Sequence, residues 1–234
     1  MSGAVDVWLI PADLPDAVLT GFTDLLDDDE RRRLADMNNV GERRLFLVAH
    51  GAARTILGGI TGVPAHRLRW EAGANGKPRL AEPAGLHANL SHSGELCLFA
   101  VAGTGREVGV DVQHLPPGLD PVAMARRRYP ADEAAFVAAA ADHAGRLDRF
   151  VTLWARKEAC VKAAGGKLAE GLRLPVGGDS PVRAVRSGGP LPGPFLVTDI
   201  PVPPGYRAAI ALNGDDPYDV VCRWWPVAPE GAGA

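Results

Sequence analysis

The chain has 234 residues, of which 47% are hydrophobic, so it can bury a sizeable core and wholesale disorder is excluded. Its 25 basic and 28 acidic residues give a formal net charge of −3, which excludes the strongly basic composition of a protein that mainly binds nucleic acid. The three cysteines are scattered and form no CxxC motif, which argues against a disulfide framework or a cysteine zinc site.

No segment of the sequence predicts export or membrane insertion. The N-terminus lacks a basic stretch followed by an apolar one, so no signal peptide is expected. The longest apolar run, 97–102, is far shorter than the ~20 residues that a membrane-spanning helix needs. We therefore expect a cytoplasmic protein without a membrane partner.

The first part of the chain alternates between strand and helix patterns. In order, these are a strand at 5–10, a weak helix at 14–26, a charged segment at 27–33 with acids before bases, a helix at 43–57, and a loop with a strand at 61–80. The pair Gly58-Gly59 is expected to end the helix that begins at residue 43.

The second part contains strands, then helices, then strands again. In order, these are two short strands within 87–102, a buried strand at 107–112, helices at 121–128, 132–144 and 148–165, and strands at 195–202, 206–212 and 220–226. Pro116-Pro117-Gly118 is the best boundary candidate by composition. The pattern predicts an α+β fold with two parts of similar element content.

The buried strand carries an aspartate among apolar residues. Alternation along Val108-Gly109-Val110-Asp111-Val112 places Asp111 and Gly109 on one face and the valines on the other. A buried carboxylate is costly unless it is paired or binds a metal, and Gly109 leaves room for another group to approach. Two interpretations stay open: Asp111 is a metal ligand, or it caps a turn at the end of the strand.

The strongest predicted helix carries Trp154, Glu158 and Lys162 with a spacing of four residues, so the three share one face. The order Glu158 before Lys162 is favourable for an ion pair on a helix surface. Taken alone, this pattern is most simply a solvated stripe of charges that contributes little to stability.

Two turns contain groups that can contact phosphate. The segment 89–94 (Asn-Leu-Ser-His-Ser-Gly) offers hydroxyls, an imidazole and backbone amides, and the segment 75–78 (Asn-Gly-Lys-Pro) offers a permissive glycine and a cation. Both are also ordinary turn sequences. A Ser91–His92 nucleophile pair is the hydrolase alternative, although no GxSxG elbow is present. No GxxxxGK[ST] loop is present either.

The order of these segments carries a resemblance to a known family. Gly-Lys-Pro at 76–78 is followed by Asn-Leu-Ser-His-Ser at 89–93, Gly-Val-Asp-Val at 109–112 and Trp-x-x-Lys-Glu-x-x-x-Lys-x-x-Gly at 154–165. This series closely resembles the 4′-phosphopantetheinyl transferases of the surfactin-synthetase-activating type. The last two motifs are the specific ones, and the first two are supportive.

The resemblance implies both an activity and an architecture. Members of this family move the phosphopantetheine arm of coenzyme A onto a serine of a carrier protein and release adenosine 3′,5′-bisphosphate. The implied fold is a pseudo-dimer of two similar α+β halves with the coenzyme between them. We accordingly expect an N-terminal half at 1–106, a C-terminal half at 107–227 and a disordered tail at 228–234.

The resemblance also implies roles for single residues. Asp111 and Glu158 would hold Mg²⁺ on the pyrophosphate, and Glu158 would be the general base for the carrier serine, directly or through water, with its basicity kept normal to low by the cation beside it. The other implied contacts are with the coenzyme: the phosphates by Lys157, Lys162, Ser91 and His92, the nucleotide by Gly76, Lys77 and Pro78, and the 3′-phosphate by Arg44 with one or more of Arg31, Arg32 and Arg33.

One position departs from the family pattern. Many members carry a third acid two residues after the strand aspartate, whereas this chain has Gln113 there. Gln113 offers the metal a neutral carbonyl oxygen or positions a metal-bound water. This departure is the one feature that favours the alternative function, a non-catalytic protein of the same fold that binds coenzyme A or a carrier protein.

The expected partners are coenzyme A and apo acyl carrier or peptidyl carrier protein domains, with Mg²⁺ as the cofactor and a monomeric enzyme. Carrier domains are typically acidic, so a basic surface is expected to receive them. The cluster Arg126-Arg127-Arg128 is a candidate for that surface. An ordinary charged helix end is the alternative interpretation of the same cluster.

Overall fold

A computed structural model describes residues 3–73, 77–81, 85–103, 105–185, 189–191 and 193–226, and it confirms the α+β class. Its elements in chain order are β1 (Gly3–Pro11), α1 (Asp16–Leu25), α2 (Asp28–Asp36), α3 (Val40–Thr61), β2 (Trp70–Ala72), β3 (Pro78–Leu80), β4 (His87–Ser93), β5 (Leu96–Ala102), β6 (Val108–His114), α4 (Pro121–Arg128), α5 (Ala131–Ala138), α6 (His143–Ala164), α7 (Leu168–Gly171), β7 (Val182–Ala184), β8 (Phe195–Asp199), β9 (Tyr206–Asn213) and β10 (Tyr218–Trp224). Gly76 and the predicted tail at 228–234 lie outside the described residues.

Two four-stranded sheets form the centre of the molecule. The first has the strand order β10-β1-β5-β4 and the second has the order β6-β9-β8-β7. Strand β10 comes last in the chain, yet it pairs in parallel with β1 and so returns to the first sheet. The division into halves at 1–106 and 107–227, and the pseudo-dimer relation between them, stay predictions.

The sheets pack against each other through their inner faces and are covered by helices on their outer faces. Val7 of β1 and Leu98 of β5 share one core with Val110 of β6 and Ile210 of β9. Helices α1 and α3 cover the outer face of the first sheet, and α6 with α4 and α5 covers that of the second. The result is a helix–sheet–sheet–helix layering. Among the described helices, none is long and apolar enough to cross a membrane.

Three predicted helix boundaries are wrong. Gly58 and Gly59 do not end α3, which continues to Thr61 and ends at Gly62, whose φ of 71° is the left-handed conformation that glycine favours. The helix predicted at 132–144 ends earlier, because the side chain of Asp142 accepts the N–H of Gly145 and so caps the start of α6. Helix α6 therefore begins at His143, before the predicted start at residue 148.

Helix α6 lies directly on β6 at Gly109. A Cβ atom built at this glycine would stand 2.1 Å from the carbonyl oxygen of Ala159 and 2.3 Å from the backbone nitrogen of Ala163. The space that the sequence predicted beside Gly109 is therefore filled by the backbone of α6. This contact sets the distance between α6 and the strand that carries Asp111.

We expect Gly109→Ala to destabilise the fold by about 2 kcal/mol or more, because the added methyl group forces α6 away from β6 and overpacking a filled core costs about 1–3 kcal/mol. The measurement is the free energy of unfolding from urea titration. Gly59→Ala is the matched control, since a Cβ there meets nothing within 4 Å and alanine favours the helix. Equal stability of the Gly109→Ala and Gly59→Ala variants would contradict the close contact.

Candidate functional site

The two sheets meet along a seam between β4 and the free edge of β6. Every second residue of β6 directs its peptide groups away from the partner strand β9; these are residues 108, 110, 112 and 114. Side chains of β4 accept hydrogen bonds from these N–H groups. Asn89 Oδ1 accepts the N–H of Val110 at 2.9 Å, and Ser91 Oγ accepts the N–H of Val112 at 3.2 Å. Ser93 Oγ accepts the N–H of His114 at 2.9 Å. The alternating Asn-x-Ser-x-Ser pattern of β4 therefore substitutes for a neighbouring strand.

Two lysines bind the carbonyl groups of the same edge. Lys77 donates from Nζ to the oxygen of Val108 at 3.0 Å, and it also pairs with Glu107 at 2.7 Å. Lys162 donates from Nζ to the oxygen of Val110 at 3.1 Å. The seam between β4 and β6 thus brings two ammonium groups to the junction of the two sheets, each paired with a carboxylate, Glu107 or Asp111.

Asp111 is the centre of a polar cluster on the α6 side of the seam. It is only 1% exposed. Its Oδ1 atom accepts hydrogen bonds from Lys162 Nζ at 2.6 Å and from Ser91 Oγ at 3.0 Å, and its Oδ2 atom accepts one from Gln113 Nε2 at 2.8 Å. Lys162 pairs with Asp111, not with Glu158 on its own helix, so the surface ion-pair interpretation is excluded.

Glu158 lies next to this cluster and differs from Asp111 in having no hydrogen bond or ion pair among the described residues. Burial raises the pKa of the Glu158 carboxyl above its usual value, the negative charge of Asp111 raises it further, and Lys162 opposes the shift only in part. Burial and the charge of Asp111 therefore outweigh the opposing charge of Lys162 at the Glu158 carboxyl, whose pKa is raised, and the effect of a bound metal ion on this group stays a prediction.

The oxygen donors of this cluster fit a hard divalent cation. Two carboxylates, Asp111 and Glu158, approach from β6 and α6, and Gln113 has a carbonyl oxygen left after its amide group donates to Asp111. No group of three or more His, Cys, Asp or Glu side chains forms a metal cage within the described ranges. Such a set suits Mg²⁺, which typically binds one or two carboxylates and completes its shell with phosphate oxygens and water.

Comparison with known proteins identifies the family. Residues 107–183, which include Asp111, Glu158 and Lys162, match the model of the 4′-phosphopantetheinyl transferase superfamily. The 4′-phosphopantetheinyl transferase HetI of Nostoc sp. is 34% identical over 173 residues, which cover 73% of this chain and 72% of the relative. The chain belongs to this superfamily.

Two Bacillus relatives agree. The 4′-phosphopantetheinyl transferase psf-1 of Bacillus pumilus is 31% identical over 190 residues, covering 74% of this chain and 75% of the relative. The 4′-phosphopantetheinyl transferase Sfp of Bacillus subtilis is 30% identical over 162 residues, covering 65% and 67%. The family resemblance predicted from the ordered motifs is confirmed, and the chain is a transferase.

The transferase does not combine Ser91 and His92 into a nucleophile pair. The two residues are neighbours on β4, so their side chains point to opposite faces. The Ser91 hydroxyl donates to Asp111 and accepts from Lys162 and from the N–H of Val112, which leaves it no donor for a phosphate oxygen. Partial desolvation lowers the pKa of His92 first, and the nearby Lys162 and His50 lower it further.

Lys157 and Arg44 are held away from this cluster. Lys157 is fully buried and pairs with Glu133 at 2.5 Å, although the family resemblance implied a phosphate contact. Burial lowers the pKa of Lys157, and Glu133 opposes that shift. Arg44 donates to the carbonyl groups of Ala12 and Leu14 and pairs with Asp16 at 3.2 Å, so it fastens α3 to the segment after β1.

A cleft of about 410 Å³ lies on the other side of β4. Of the three arginines considered for the 3′-phosphate, Arg33 lines this cleft, and its guanidinium group lies 5.3 Å from the centre of the Phe46 ring. His50 and Trp70 also line it, and the indole nitrogen of Trp70 is buried without a partner among the described residues. Pro78 borders both this cleft and a second cavity of about 340 Å³, which Lys77 lines.

A buried ionic network forms one wall of the larger cleft, and sequence reasoning missed it. Arg54 is completely buried and pairs with Glu30 at 2.6 Å and with Asp27. Glu30 also contacts His50 Nδ1 at 2.8 Å. Burial alone would raise the pKa of Glu30, but the hydrogen bond with His50 and the charges of His50 and Arg54 together lower it below its usual value. The Asp27-x-x-Glu30 spacing of a helix capping box was an available signal, whereas Arg54 lies off the apolar face that the sequence predicts for α3.

We expect Glu30→Gln to cost stability in a pH-dependent way. A carboxyl whose pKa is lowered on folding stabilises the protein above its unfolded pKa, and this contribution is lost as the pH falls through the folded value. The difference in unfolding free energy from wild type should therefore be largest at neutral pH and shrink below pH 4.5, the ordinary glutamate value. The exposed Glu42→Gln is the control, and a difference for Glu30→Gln that is constant with pH would contradict the ionic network.

Proposed function

We propose that this enzyme transfers the 4′-phosphopantetheine arm of coenzyme A to a serine hydroxyl of an apo acyl or peptidyl carrier protein. The reaction releases adenosine 3′,5′-bisphosphate and depends on Mg²⁺. The supporting observation is the cluster of Asp111, Glu158 and Lys162 at the seam, where two carboxylates and an ammonium group converge from β6 and α6. Phosphoryl transfer requires such charge neutralisation together with a positioned nucleophile.

Asp111 and Glu158 would hold Mg²⁺, and the carbonyl oxygen of Gln113 is a neutral third donor, directly or through water. When bound, the cation supplies charge neutralisation on the pyrophosphate of coenzyme A. Because Gln113 contributes no charge, the protein offers two negative charges at this site, and the phosphate oxygens supply the remainder. The Gln113 departure from the family pattern is therefore compatible with the proposed reaction.

Glu158 is the proposed general base. Its carboxylate has no hydrogen-bond partner among the described residues, so an oxygen that does not bind the cation can accept the proton of the carrier serine, directly or through water. As the proton moves to Glu158, the serine oxygen forms a bond to the phosphorus that carries pantetheine. The bond from that phosphorus to the bridging oxygen breaks, and adenosine 3′,5′-bisphosphate leaves with the electron pair. Lys162 is placed to offset the charge on the leaving phosphate.

The coenzyme is proposed to reach this cluster from the cleft beside β4. The cleft of about 410 Å³ would hold the adenosine end, with Pro78 at its border and Arg33 as the arginine available to the 3′-phosphate. Lys77 would line the nucleotide side of the site. Its position there is fixed by the seam, because its ammonium group is bound to Glu107 and to backbone oxygens. Arg44 and Lys157 receive no role in binding the coenzyme, because both are engaged elsewhere.

The carrier protein is proposed to dock on α4, which the loop after β6 joins to the seam. Arg126, Arg127 and Arg128 are all exposed and have no ion pair among the described residues. Unpaired guanidinium groups can pair with the carboxylates of an acidic carrier surface and speed its association. Monomeric action, as expected from the sequence, stays a prediction.

The proposed function predicts that an apo carrier domain gains the mass of one phosphopantetheine arm when incubated with the enzyme, coenzyme A and Mg²⁺. EDTA should abolish the gain. Glu158→Gln should lower the rate at least about a hundredfold, the low end of what a positioned base contributes. The measurement is intact mass spectrometry of the carrier over time, with Glu42→Gln as the control for a surface glutamate.

A Glu158→Gln variant that keeps most of its rate would contradict both roles given to Glu158. Coenzyme binding without transfer to any of several acyl and peptidyl carriers would favour the alternative, a non-catalytic binding protein. In that case the first substitution to make would be Gln113→Glu, which restores the acid that many family members carry at this position.

Reversing charge on α4 tests the docking surface. We expect Arg126→Glu/Arg127→Glu to raise the KM for the carrier at least about tenfold while kcat and the KM for coenzyme A stay near wild type, because rim charges act mainly on association. The effect should weaken as salt is added. Arg67→Glu/Arg69→Glu is the matched reversal at exposed arginines elsewhere. Equal carrier KM values for the two double variants would exclude α4 as the docking surface.

A further inference from the structure

The carboxylate of Asp111 already holds three hydrogen-bond donors in the free protein. Lys162 and Ser91 donate to its Oδ1 atom, and Gln113 donates to its Oδ2 atom, all within 3.0 Å. Asp111 is 1% exposed, so these partners compensate the cost of burying its charge. These donors use three of the roughly four lone-pair sites of the carboxylate, so a further cation would bind through Oδ2 and share Asp111 with Lys162.

Lys162 is the charged member of this set, and its ammonium group has no proton to spare. One proton goes to Asp111 Oδ1 at 2.6 Å, one to Ser91 Oγ at 2.8 Å and one to the carbonyl oxygen of Val110 at 3.1 Å. The Lys162 side chain is 27% exposed, so it reaches the cluster from the solvent-accessible side of the seam. It neutralises Asp111 as a bound cation would.

This arrangement opposes a divalent cation in the absence of the coenzyme. A cation next to Asp111 would be repelled by the ammonium charge of Lys162, and only Glu158 would offer it a carboxylate without a donor. The pyrophosphate of coenzyme A changes this balance, because its oxygens give the cation additional ligands and give Lys162 a second anionic partner. Each ligand should therefore strengthen the binding of the other.

We propose that Lys162 is a positioning residue that takes the place of the divalent cation on Asp111 in the free enzyme. The free enzyme then binds the metal weakly, and the metal enters the site together with coenzyme A. This inference rests on the proposed function, since it takes coenzyme A as the ligand. It adds an order of binding and gives Lys162 a role before any transfer occurs.

The test is a titration of the full chain with Mn²⁺, followed by electron paramagnetic resonance of the free ion, with and without coenzyme A. Blanks with coenzyme A alone account for Mn²⁺ bound in solution. Wild type should bind Mn²⁺ at least about tenfold more tightly with coenzyme A present, within the usual range of coupling between sites. Lys162→Met should tighten Mn²⁺ binding to the free enzyme by a similar factor and lose most of the coupling.

Two further variants make the result specific. Lys167→Met removes an exposed lysine five positions further on and should behave as wild type. If Lys162→Met does not fold, as judged by circular dichroism, Lys162→Gln removes the charge while keeping a donor for Ser91 and Val110, and the same tightening is expected of it.

The proposal is overturned if wild type binds Mn²⁺ equally well with and without coenzyme A, or if neutralising Lys162 leaves the affinity of the free enzyme unchanged. Failure of the proposed function would look different. A protein that couples Mn²⁺ to coenzyme A but never modifies a carrier keeps this inference and loses the transfer activity. A protein that modifies the carrier but binds Mn²⁺ equally well with and without coenzyme A keeps the transfer activity and loses this inference.

Discussion

The edge of β6 is the constraint on which the site depends. A strand edge that faces another sheet must find partners for its peptide groups, because buried N–H and C=O groups left without them are costly. Here the partners are side chains: Asn89, Ser91 and Ser93 for the N–H groups, and Lys77 and Lys162 for two carbonyl groups. The requirement to close this edge therefore brings lysine charge to the place where a pyrophosphate would be handled.

Helix α6 contributes to both the core and the candidate site, because its different sides carry different side chains. Gly109 lets the backbone of α6 contact β6, so that Glu158 and Lys162 lie beside Asp111. Lys157 points into the core between the second sheet and its covering helices, where it pairs with Glu133, and the preceding Arg156 pairs with Asp199 at 2.7 Å. These pairs hold the helix against the surrounding elements, and the remaining side carries Glu158 and Lys162, for which we propose the catalytic roles.

The features of the fold and the candidate site that depend on local periodicity were predictable from the sequence. Alternation placed Asp111 and Gly109 on one face of β6, and helical spacing placed Glu158 with Lys162. Contacts between distant segments were not predictable, such as the pairing of Lys162 with Asp111 and the return of β10 to β1. That Lys157 does not face β6 could have been inferred from the sequence. Successive residues of a helix point about 100° apart, so Lys157 and Glu158 cannot both face this strand.

The most direct test is a crystal structure of the enzyme with coenzyme A and Mn²⁺, with the metal located from its anomalous scattering. We expect one metal ion bound by Asp111, Glu158 and oxygens of the pyrophosphate, with Lys162 Nζ moved from Asp111 to a phosphate oxygen. A pyrophosphate bound away from the seam, or a metal ion with neither Asp111 nor Glu158 among its ligands, would contradict the proposed site.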